Sequence, residues 1–181
     1  MRIISGKFKG LILDGFTIDG TRPTMDRVKE SLFAMLGQTV IDSVCLDLFA
    51  GSGNLGLEAI SNGASEVYFV DHNKIAIETI KKNMNKAKLN SFNFVYKMDY
   101  LEALQYFKNQ NKKFDIIFLD PPYQKNLLNT CIEKIEEFDL LNEDGIIVLE
   151  YENYDVNYRD FTSYKKRSYG SKIVEFIKNV K

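Results

Sequence analysis

The sequence predicts a doubly wound α/β protein, in which helices cover both faces of a mostly parallel sheet. From Val44 onward, short apolar runs alternate with segments whose apolar residues recur at three- and four-residue spacing. The first apolar run also leads into a glycine-rich turn. Buried strands that alternate with helices form a parallel sheet covered on both sides.

The alternating part of the chain contains the candidate strands and helices of this sheet. The strands are Val44–Phe49, Glu66–Val70, Phe92–Tyr96, Phe114–Leu119 and Gly145–Tyr151, and the helices are Leu55–Asn62, Lys74–Lys88, Tyr100–Lys108 and Lys125–Phe138. Neither an internal repeat nor a Pro/Gly/Ser-rich linker interrupts the 181 residues. We therefore expect one domain over residues 1–181, with its core at 44–181.

The two ends of the chain depart from this alternation. Residues 1–20 form an extension in which a small β-hairpin is predicted about Gly6–Gly10. Thr24 is expected to cap a helix over residues 24–37. Residues 161–180 predict two strands around Tyr169-Gly170-Ser171, so the sheet should finish with an antiparallel pair.

Composition indicates a soluble, cytoplasmic protein. The chain is 45% apolar and 27% charged, and it has neither the apolar run of a signal peptide nor a membrane-spanning stretch. Cys45 and Cys131 lie far apart without neighbouring ligands, so we expect reduced core thiols rather than a disulfide or zinc site. We also expect a monomer that needs no metal.

The net charge of −1 conceals two basic ends. The first ten residues carry Arg2, Lys7 and Lys9 without an acid, and residues 161–181 carry six basic residues against Glu175. If the ends fold together, they form one basic face that suits nucleic acid. Charge alone leaves the alternative open that both ends are merely solvated.

A glycine motif follows the first predicted strand. Gly51, Gly53 and Gly56 fit the fingerprint G-x-G-x-x-G between a strand and a helix, where the backbone can approach a ligand closely. Asp71, at the end of the second predicted strand, is placed to accept hydrogen bonds from ribose hydroxyls. The pattern indicates a ligand that contains a nucleoside.

Two further acids favour S-adenosylmethionine over NAD as that ligand. Asp47 lies just ahead of the glycine turn, where it would repel a pyrophosphate and attract a positively charged sulfonium and ammonium. Asp99 follows the third predicted strand and could accept from the adenine amino group. Each acid alone could instead be an ordinary turn residue at the end of a strand.

The tetrapeptide Asp120-Pro121-Pro122-Tyr123 follows the fourth predicted strand and indicates the chemistry. An aromatic exocyclic amine is a poor nucleophile because its lone pair is delocalised. Asp120 and the Pro121 carbonyl can each accept one amino hydrogen, which favours the pyramidal nitrogen of the transition state. Tyr123 offers a face on which an extruded base can stack, a contact worth ~1–3 kcal/mol.

At this point the chain resembles a known family. The turn Asp-Leu-Phe-Ala-Gly-Ser-Gly at 47–53 and Asp-Pro-Pro-Tyr at 120–123 are shared by many amino-directed methyltransferases. More specific are Arg-Ile-Ile-Ser-Gly-Lys-Phe-Lys-Gly at 2–10, Arg-Pro-Thr-Met-Asp-Arg-Val-Lys-Glu-Ser-Leu-Phe at 22–33 and Tyr169-Gly170. Together they resemble the RsmD family, bacterial methyltransferases for guanine N2 of 16S ribosomal RNA, over essentially the whole chain.

The resemblance implies a Rossmann-like class I methyltransferase fold with a seven-stranded sheet, and a substrate within the small ribosomal subunit. It implies cofactor contacts from Asp47, Phe49, Gly51, Gly53, Asp71 and Asp99, closure of the helix opened by Thr24 over the methionine end of the cofactor, and base contacts from Asp120, Pro121 and Tyr123. His72 follows Asp71 and is a candidate for packing near the adenine. His72 fits a surface turn equally well. Candidate RNA contacts are Arg2, Lys7, Lys9, Arg22, Arg27 and Tyr169.

Several other functions are compatible with parts of the pattern. An adenine-N6 methyltransferase acting on DNA or RNA uses the same tetrapeptide, although DNA enzymes usually need additional sequence for target recognition. A glutamine-directed protein methyltransferase usually has Asn in the position of Asp120. A catalytically silent RNA-binding or assembly factor would leave the intact acids unexplained, and a NAD oxidoreductase would leave the tetrapeptide unexplained.

Overall fold

The computed structural model describes residues 1–15, 23–89, 93–122, 125–152 and 155–180. The strands are β1 (Val44–Asp47), β2 (Glu66–Asp71), β3 (Asn93–Lys97), β4 (Phe114–Leu119), β5 (Leu141–Glu152), β6 (Phe161–Tyr169) and β7 (Lys172–Asn179). The helices are α1 (Pro23–Leu36), α2 (Asn54–Ser61), α3 (Lys74–Lys86), α4 (Tyr100–Asn109) and α5 (Lys125–Glu137).

These strands form one seven-stranded sheet in the order β3-β2-β1-β4-β5-β7-β6. The first five strands pair in parallel, whereas β7 pairs antiparallel with both β5 and β6. The predicted fold class and the antiparallel finish are therefore confirmed. β1 ends at Asp47 rather than Phe49, because Leu48 already turns out of the regular ladder into the glycine turn.

Two apolar cores cover the two faces of the sheet. One contains Val28, Leu57 and Ile80, which come from α1, α2 and α3, and we call this side the α1 face. The other contains Leu104 and Leu128, which come from α4 and α5. Successive strand residues alternate between the two cores, so both faces of the parallel strands are buried and their sequences are almost continuously apolar.

The expectations for the two cysteines and for membrane-spanning segments can be compared with the structure. Cys45 and Cys131 are buried free thiols, as predicted, and burial raises the pKa of Cys45 to about 12. Among the described helices, none is long and apolar enough to cross a membrane. Within the same residues, no group of three or more His, Cys, Asp or Glu side chains could hold a metal ion.

The N-terminal hairpin forms with a single antiparallel bridge, Arg2 to Ile12, instead of two regular strands. The amides of Ile4 and Ser5 donate to the carboxylate of Glu58 on α2, at 2.8–3.1 Å. The amide of Lys7 donates to the carbonyl of Ser61. The small hairpin predicted at this end is therefore confirmed, and backbone donors that a longer ladder would use are satisfied by α2.

Helix α1 begins at Pro23, so Thr24 lies inside its first turn and not before it. Proline suits a first helical position because its missing N–H would have no partner there. The buried side of α1 carries Val28, Leu32 and Leu36, as its spacing predicts, together with Lys29. The helix therefore brings a charged side chain into the core.

Lys29 forms a buried ion pair with Glu58, 3.0 Å between Nζ and Oε2. The side chains are 2% and 0% exposed. The Lys29 ammonium also donates to the Arg2 carbonyl and to Asn54 Oδ1, both at 2.6 Å. One pair of charges thus connects the N-terminal segment, α1 and α2.

Breaking this ion pair should destabilise the fold strongly. Lys29→Met leaves the Glu58 carboxylate buried without its cation, and such a change costs about 3–5 kcal/mol. Lys113→Met, which breaks the exposed pair with Asp139, is the matched control and should cost under ~1 kcal/mol. Urea unfolding measures both free energies, and equal losses would contradict a structural role for Lys29.

Candidate active site

The carboxyl ends of β1 and β4 lie side by side at the centre of the sheet. From β1 the chain order proceeds outward through β2 to β3 on one side, and β4 lies on the other. Ligands of open α/β sheets bind at such a switch point, beyond the carboxyl ends of the strands. The amide of Leu48 donates to the Phe118 carbonyl at 3.3 Å, so the glycine turn starts directly beside the segment that leads to Asp120.

The glycine turn depends on backbone angles that favour glycine. Gly51 has φ 57° and Gly53 has φ 81°, and Gly53 is the N-cap of α2. Such left-handed conformations cost other residues roughly 1–2 kcal/mol. The amide of Ala50 donates to Val70 and that of Gly51 to the Asp71 carboxylate, both at 2.9 Å. The turn is thereby attached to the end of β2.

The carboxylate of Asp47 is hydrogen-bonded to the backbone at the start of α2. Its Oδ2 accepts from the Gly56 amide at 3.0 Å, and the residue is only 2% exposed. Burial raises the pKa of Asp47 to about 7, against the opposing effect of the Gly56 hydrogen bond. A helix N-terminus normally attracts anions, and here a protein carboxylate already contacts it.

Asp71 combines a structural role with free accepting capacity. Its carboxylate accepts from the amides of Gly51 and Asn73, at 2.9 and 2.8 Å. A carboxylate has about four lone-pair sites, so these two amides leave acceptor sites of Asp71 unused. His72, the next residue, has 77% of its side chain exposed, and its Nδ1 lies 3.8 Å from Asp71 Oδ1.

Phe49 and Asp99 lie at the same edge, near the start of α4. The half-buried ring of Phe49 contacts Tyr100, with ring centroids 5.6 Å apart. Asp99 is exposed and caps α4, because its Oδ1 accepts from the Leu101 amide at 2.9 Å. A helix-capping role explains Asp99 by itself, and its second oxygen is still available as an acceptor.

Asp120 immediately follows β4 and is the acid of the tetrapeptide. In the described part of the chain its carboxyl group makes no hydrogen bond with another residue. Burial, followed by the charge of Glu150, raises the pKa of Asp120 well above its usual value. Pro121 is half-buried and Pro122 is exposed, whereas Tyr123 lies outside the described residues.

Two residues that sequence reasoning missed lie beside Asp120. Glu150 is 7% exposed near the end of β5, and it forms an ion pair with Lys172 at the start of β7. The signal in the sequence was a lone acid inside the apolar run Ile-Ile-Val-Leu-Glu-Tyr. Lys172 was counted only as one of the basic residues of the C-terminal segment.

The candidate RNA contacts do not gather in one place. Arg2 is exposed and faces Asp26 of α1 at 3.5 Å. Lys7 and Lys9 are exposed on the hairpin, which is bonded to Ser61 at the far end of α2, about 12 Å along the helix from its start. The basic residues of the N-terminal segment therefore do not all lie on the side of the carboxyl edge.

The remaining candidates have different surroundings. Arg27 is exposed on α1, and the Tyr169 hydroxyl is hydrogen-bonded to Ser31 of the same helix. This bond favours a packing role for Tyr169. Arg22 and the side chain of Thr24 lie outside the described part of the structure.

Solved structures share this architecture over almost the whole chain. An Escherichia coli protein superposes with a TM-score of 0.85 at 27% identity, covering 99% of this chain and 97% of its own. A Haemophilus influenzae protein gives 0.81 at 33% identity, covering 99% and 98%. The fold is that of class I methyltransferases.

Sequence relatives define the family more closely. The family model described as "Conserved hypothetical protein 95" matches residues 1–178. Ribosomal RNA small subunit methyltransferase D of Haemophilus influenzae is 40% identical over 84% of this chain and 79% of its own length. The protein of that name from Escherichia coli strain K12 is 34% identical over 84% and 75%. The chain belongs to this family, and the resemblance found in the sequence is confirmed.

The third glycine of the motif should be required for packing. A methyl group on Gly56 would come within 2.3 Å of Phe69 Cε1, so Gly56→Ala should lose about 1–3 kcal/mol of unfolding free energy despite the better helix propensity of alanine. Adding Phe69→Leu removes the clashing ring. The double variant should therefore be less destabilised than the sum of the two single variants, and simple additivity in urea unfolding would refute the steric explanation.

Proposed function

We propose that this protein transfers a methyl group from S-adenosylmethionine to the exocyclic N2 amino group of a guanine in 16S ribosomal RNA of the small subunit. The observation that carries the proposal is the shared position of the glycine turn and Asp120 at one edge of the sheet. The Leu48 amide connects these two segments directly through the Phe118 carbonyl. A cofactor and a base held by them would therefore be neighbours.

The acids around the glycine turn suit S-adenosylmethionine. Asp71 retains lone pairs for ribose hydroxyls, and Asp99 has a second oxygen for the adenine amino group. Asp47 meets the start of α2, where a dinucleotide pyrophosphate would need free amides. Its carboxylate would oppose a pyrophosphate and attract a cationic ligand. S-adenosylmethionine supplies an electrophilic methyl group when it is bound.

The tetrapeptide prepares the amino group that receives the methyl. The Asp120 carboxylate and the Pro121 carbonyl each accept one amino hydrogen, so the nitrogen lone pair is directed out of the ring plane. The two prolines restrict the backbone and hold these acceptors in place before the base arrives. Tyr123 would stack on the base. These roles position the nucleophile, and positioning can supply much of the rate.

Basic side chains on both sides of α1 are the proposed RNA contacts. Arg2 faces the first turn of the helix, and Arg27 is exposed on it. On the other side, Lys165 and Arg167 of β6 contact the Met35 carbonyl and the Ser31 hydroxyl. Phosphate contacts of this kind orient an RNA without reading its sequence.

The decisive experiment follows labelled methyl groups from the cofactor. Small subunits from cells that lack the enzyme, free 16S ribosomal RNA and DNA are incubated with the protein, and the products are digested to nucleosides. N2-methylguanosine in the small subunit is the expected product. N6-methyladenine would instead support the adenine-directed alternative, and no transfer to any substrate would support a silent RNA-binding factor.

Removing the acid of the tetrapeptide should affect transfer far more than cofactor binding. Asp120→Ala loses an acceptor needed in the transition state, so the rate should fall by about 10²–10³-fold or more, while calorimetry should give a similar cofactor Kd. Asp139→Ala, an exposed acid just before β5, serves as the control. Near-normal turnover of Asp120→Ala would contradict the assignment.

Cofactor affinity should depend on pH through Asp47. The charged form of Asp47 attracts the cationic ligand, and the pKa of this group in the free protein is about 7. Affinity should therefore be greatest above pH 7 and should weaken as the pH falls, approaching about tenfold for each pH unit.

The control for the pH dependence is Asp47→Asn, which keeps an oxygen acceptor for the Gly56 amide but cannot ionise. This variant should bind more weakly at pH 7.5 and lose the dependence between pH 5.5 and 7.5. Calorimetric titration with S-adenosylmethionine measures both proteins. An unchanged slope in the variant would show that another group is responsible.

A further inference from the structure

The ion pair of Glu150 and Lys172 lies next to Asp120 across the sheet. Leu119 of β4 is paired with Leu149 of β5, so the residues that follow them are neighbours, Asp120 immediately after β4 and Glu150 within β5. Lys172 begins the next strand, β7, where it is paired with Glu152 and reaches back to the Glu150 carboxylate. Three polar side chains thus follow one another across β4, β5 and β7.

These side chains project towards the α1 face. Phe118, Val148 and Val174 all belong to the core on that side. Strand side chains two residues apart share a face, which places Glu150 and Lys172 on the α1 face and directs Asp120 the same way as the chain leaves β4. The electrostatic coupling of Asp120 to both partners agrees with this arrangement, because Glu150 raises its pKa and Lys172 lowers it.

We propose that Glu150 and Lys172 read the remaining part of the guanine Watson–Crick edge, so that the pair determines which base is methylated. The inference rests on the proposed function. Along this edge, guanine presents the N2 amino group, the N1–H donor and the O6 acceptor in that order. Across the sheet, the chain presents Asp120, the acceptor Glu150 and the donor Lys172 in the same order.

The side-chain contacts and the bonding capacity support this assignment. Neighbouring strands are about 4.8 Å apart, so the row is wider at the backbone than the guanine edge, and the side chains must converge to contact one base. Lys172 does reach across to the Glu150 carboxylate, which brings its ammonium towards Asp120. A lysine ammonium has three donors and a carboxylate about four acceptor sites, which is more than one ion pair uses. Lys172 keeps 24% of its side chain exposed, so the donor lies at the accessible end of the row.

The same row would reject adenine. Adenine presents an acceptor at N1, which would face the carboxylate of Glu150, and its amino group occupies the position of O6. A site that leaves its polar groups unpaired discriminates strongly against the wrong substrate. The tetrapeptide alone serves both amines, so specificity must come from groups beside it, and Glu150 and Lys172 are the charged pair in that position.

The test uses 2-aminopurine, which keeps the 2-amino group but lacks N1–H and O6. Small subunits are reconstituted with 16S ribosomal RNA that is ligated to carry guanosine or 2-aminopurine riboside at the nucleotide identified by the labelled cofactor. The wild-type protein should have a kcat/KM about 10- to 100-fold greater for guanosine. Lys172→Met and Glu150→Gln should lower the guanosine value by a similar factor and leave the 2-aminopurine value nearly unchanged.

Matched controls separate base reading from damage to the fold. Glu66→Gln and Lys112→Met alter an ion pair of 2.9 Å at the amino end of β2, and both should retain wild-type values for the two substrates. The inference is overturned if the wild type methylates both bases equally, or if the Glu150 and Lys172 variants lose the same factor on both. Absence of N2-methylguanosine from the wild-type reaction would overturn the proposed function itself, and this inference with it.

Discussion

The hydrogen bond from the Gly56 amide to the Asp47 carboxylate is the contact on which the carboxyl edge depends. It fixes the start of α2 over the end of β1, and the intervening glycine turn can then close against β2 and β4. The bond also keeps a carboxylate where its desolvation is costly, with a pKa near 7. One interaction thus establishes the shape of the turn and holds a buried carboxylate beside it.

Buried charges are compensated to different degrees in different parts of the molecule. Away from the carboxyl edge, Glu58 is paired with Lys29. On the face of the sheet opposite to the α1 face, Glu175 accepts hydrogen bonds from the hydroxyls of Tyr158 and Ser163. At the carboxyl edge, in contrast, Asp120 has a raised pKa and no hydrogen-bond partner among the described residues. Uncompensated acids of this kind concentrate at functional sites, because a ligand completes their surroundings.

The parts of the fold that local pattern controls could be predicted from the sequence. The apolar strand Phe114–Leu119 was placed to the residue, and the glycine and proline motifs marked the candidate site because each motif consists of residues close together in sequence. The Lys29–Glu58 pair could not be foreseen, because it joins two helices through the core, and both residues fit ordinary amphipathic helices in sequence. The contact between the hairpin and α2 could not be foreseen for the same reason, since it depends on a carboxylate distant in sequence.

The position of β7 has a consequence for biosynthesis. β7 follows the other six strands of the described sheet in sequence, yet it lies between β5 and β6 in space. While the chain is being made, β5 therefore exposes an unpaired edge of apolar residues. Such an edge favours aggregation until β7 has been synthesised and pairs with it. Because β7 also brings Lys172, a nascent chain could contain the glycine turn and the tetrapeptide before the counter-charge of Glu150 has been synthesised.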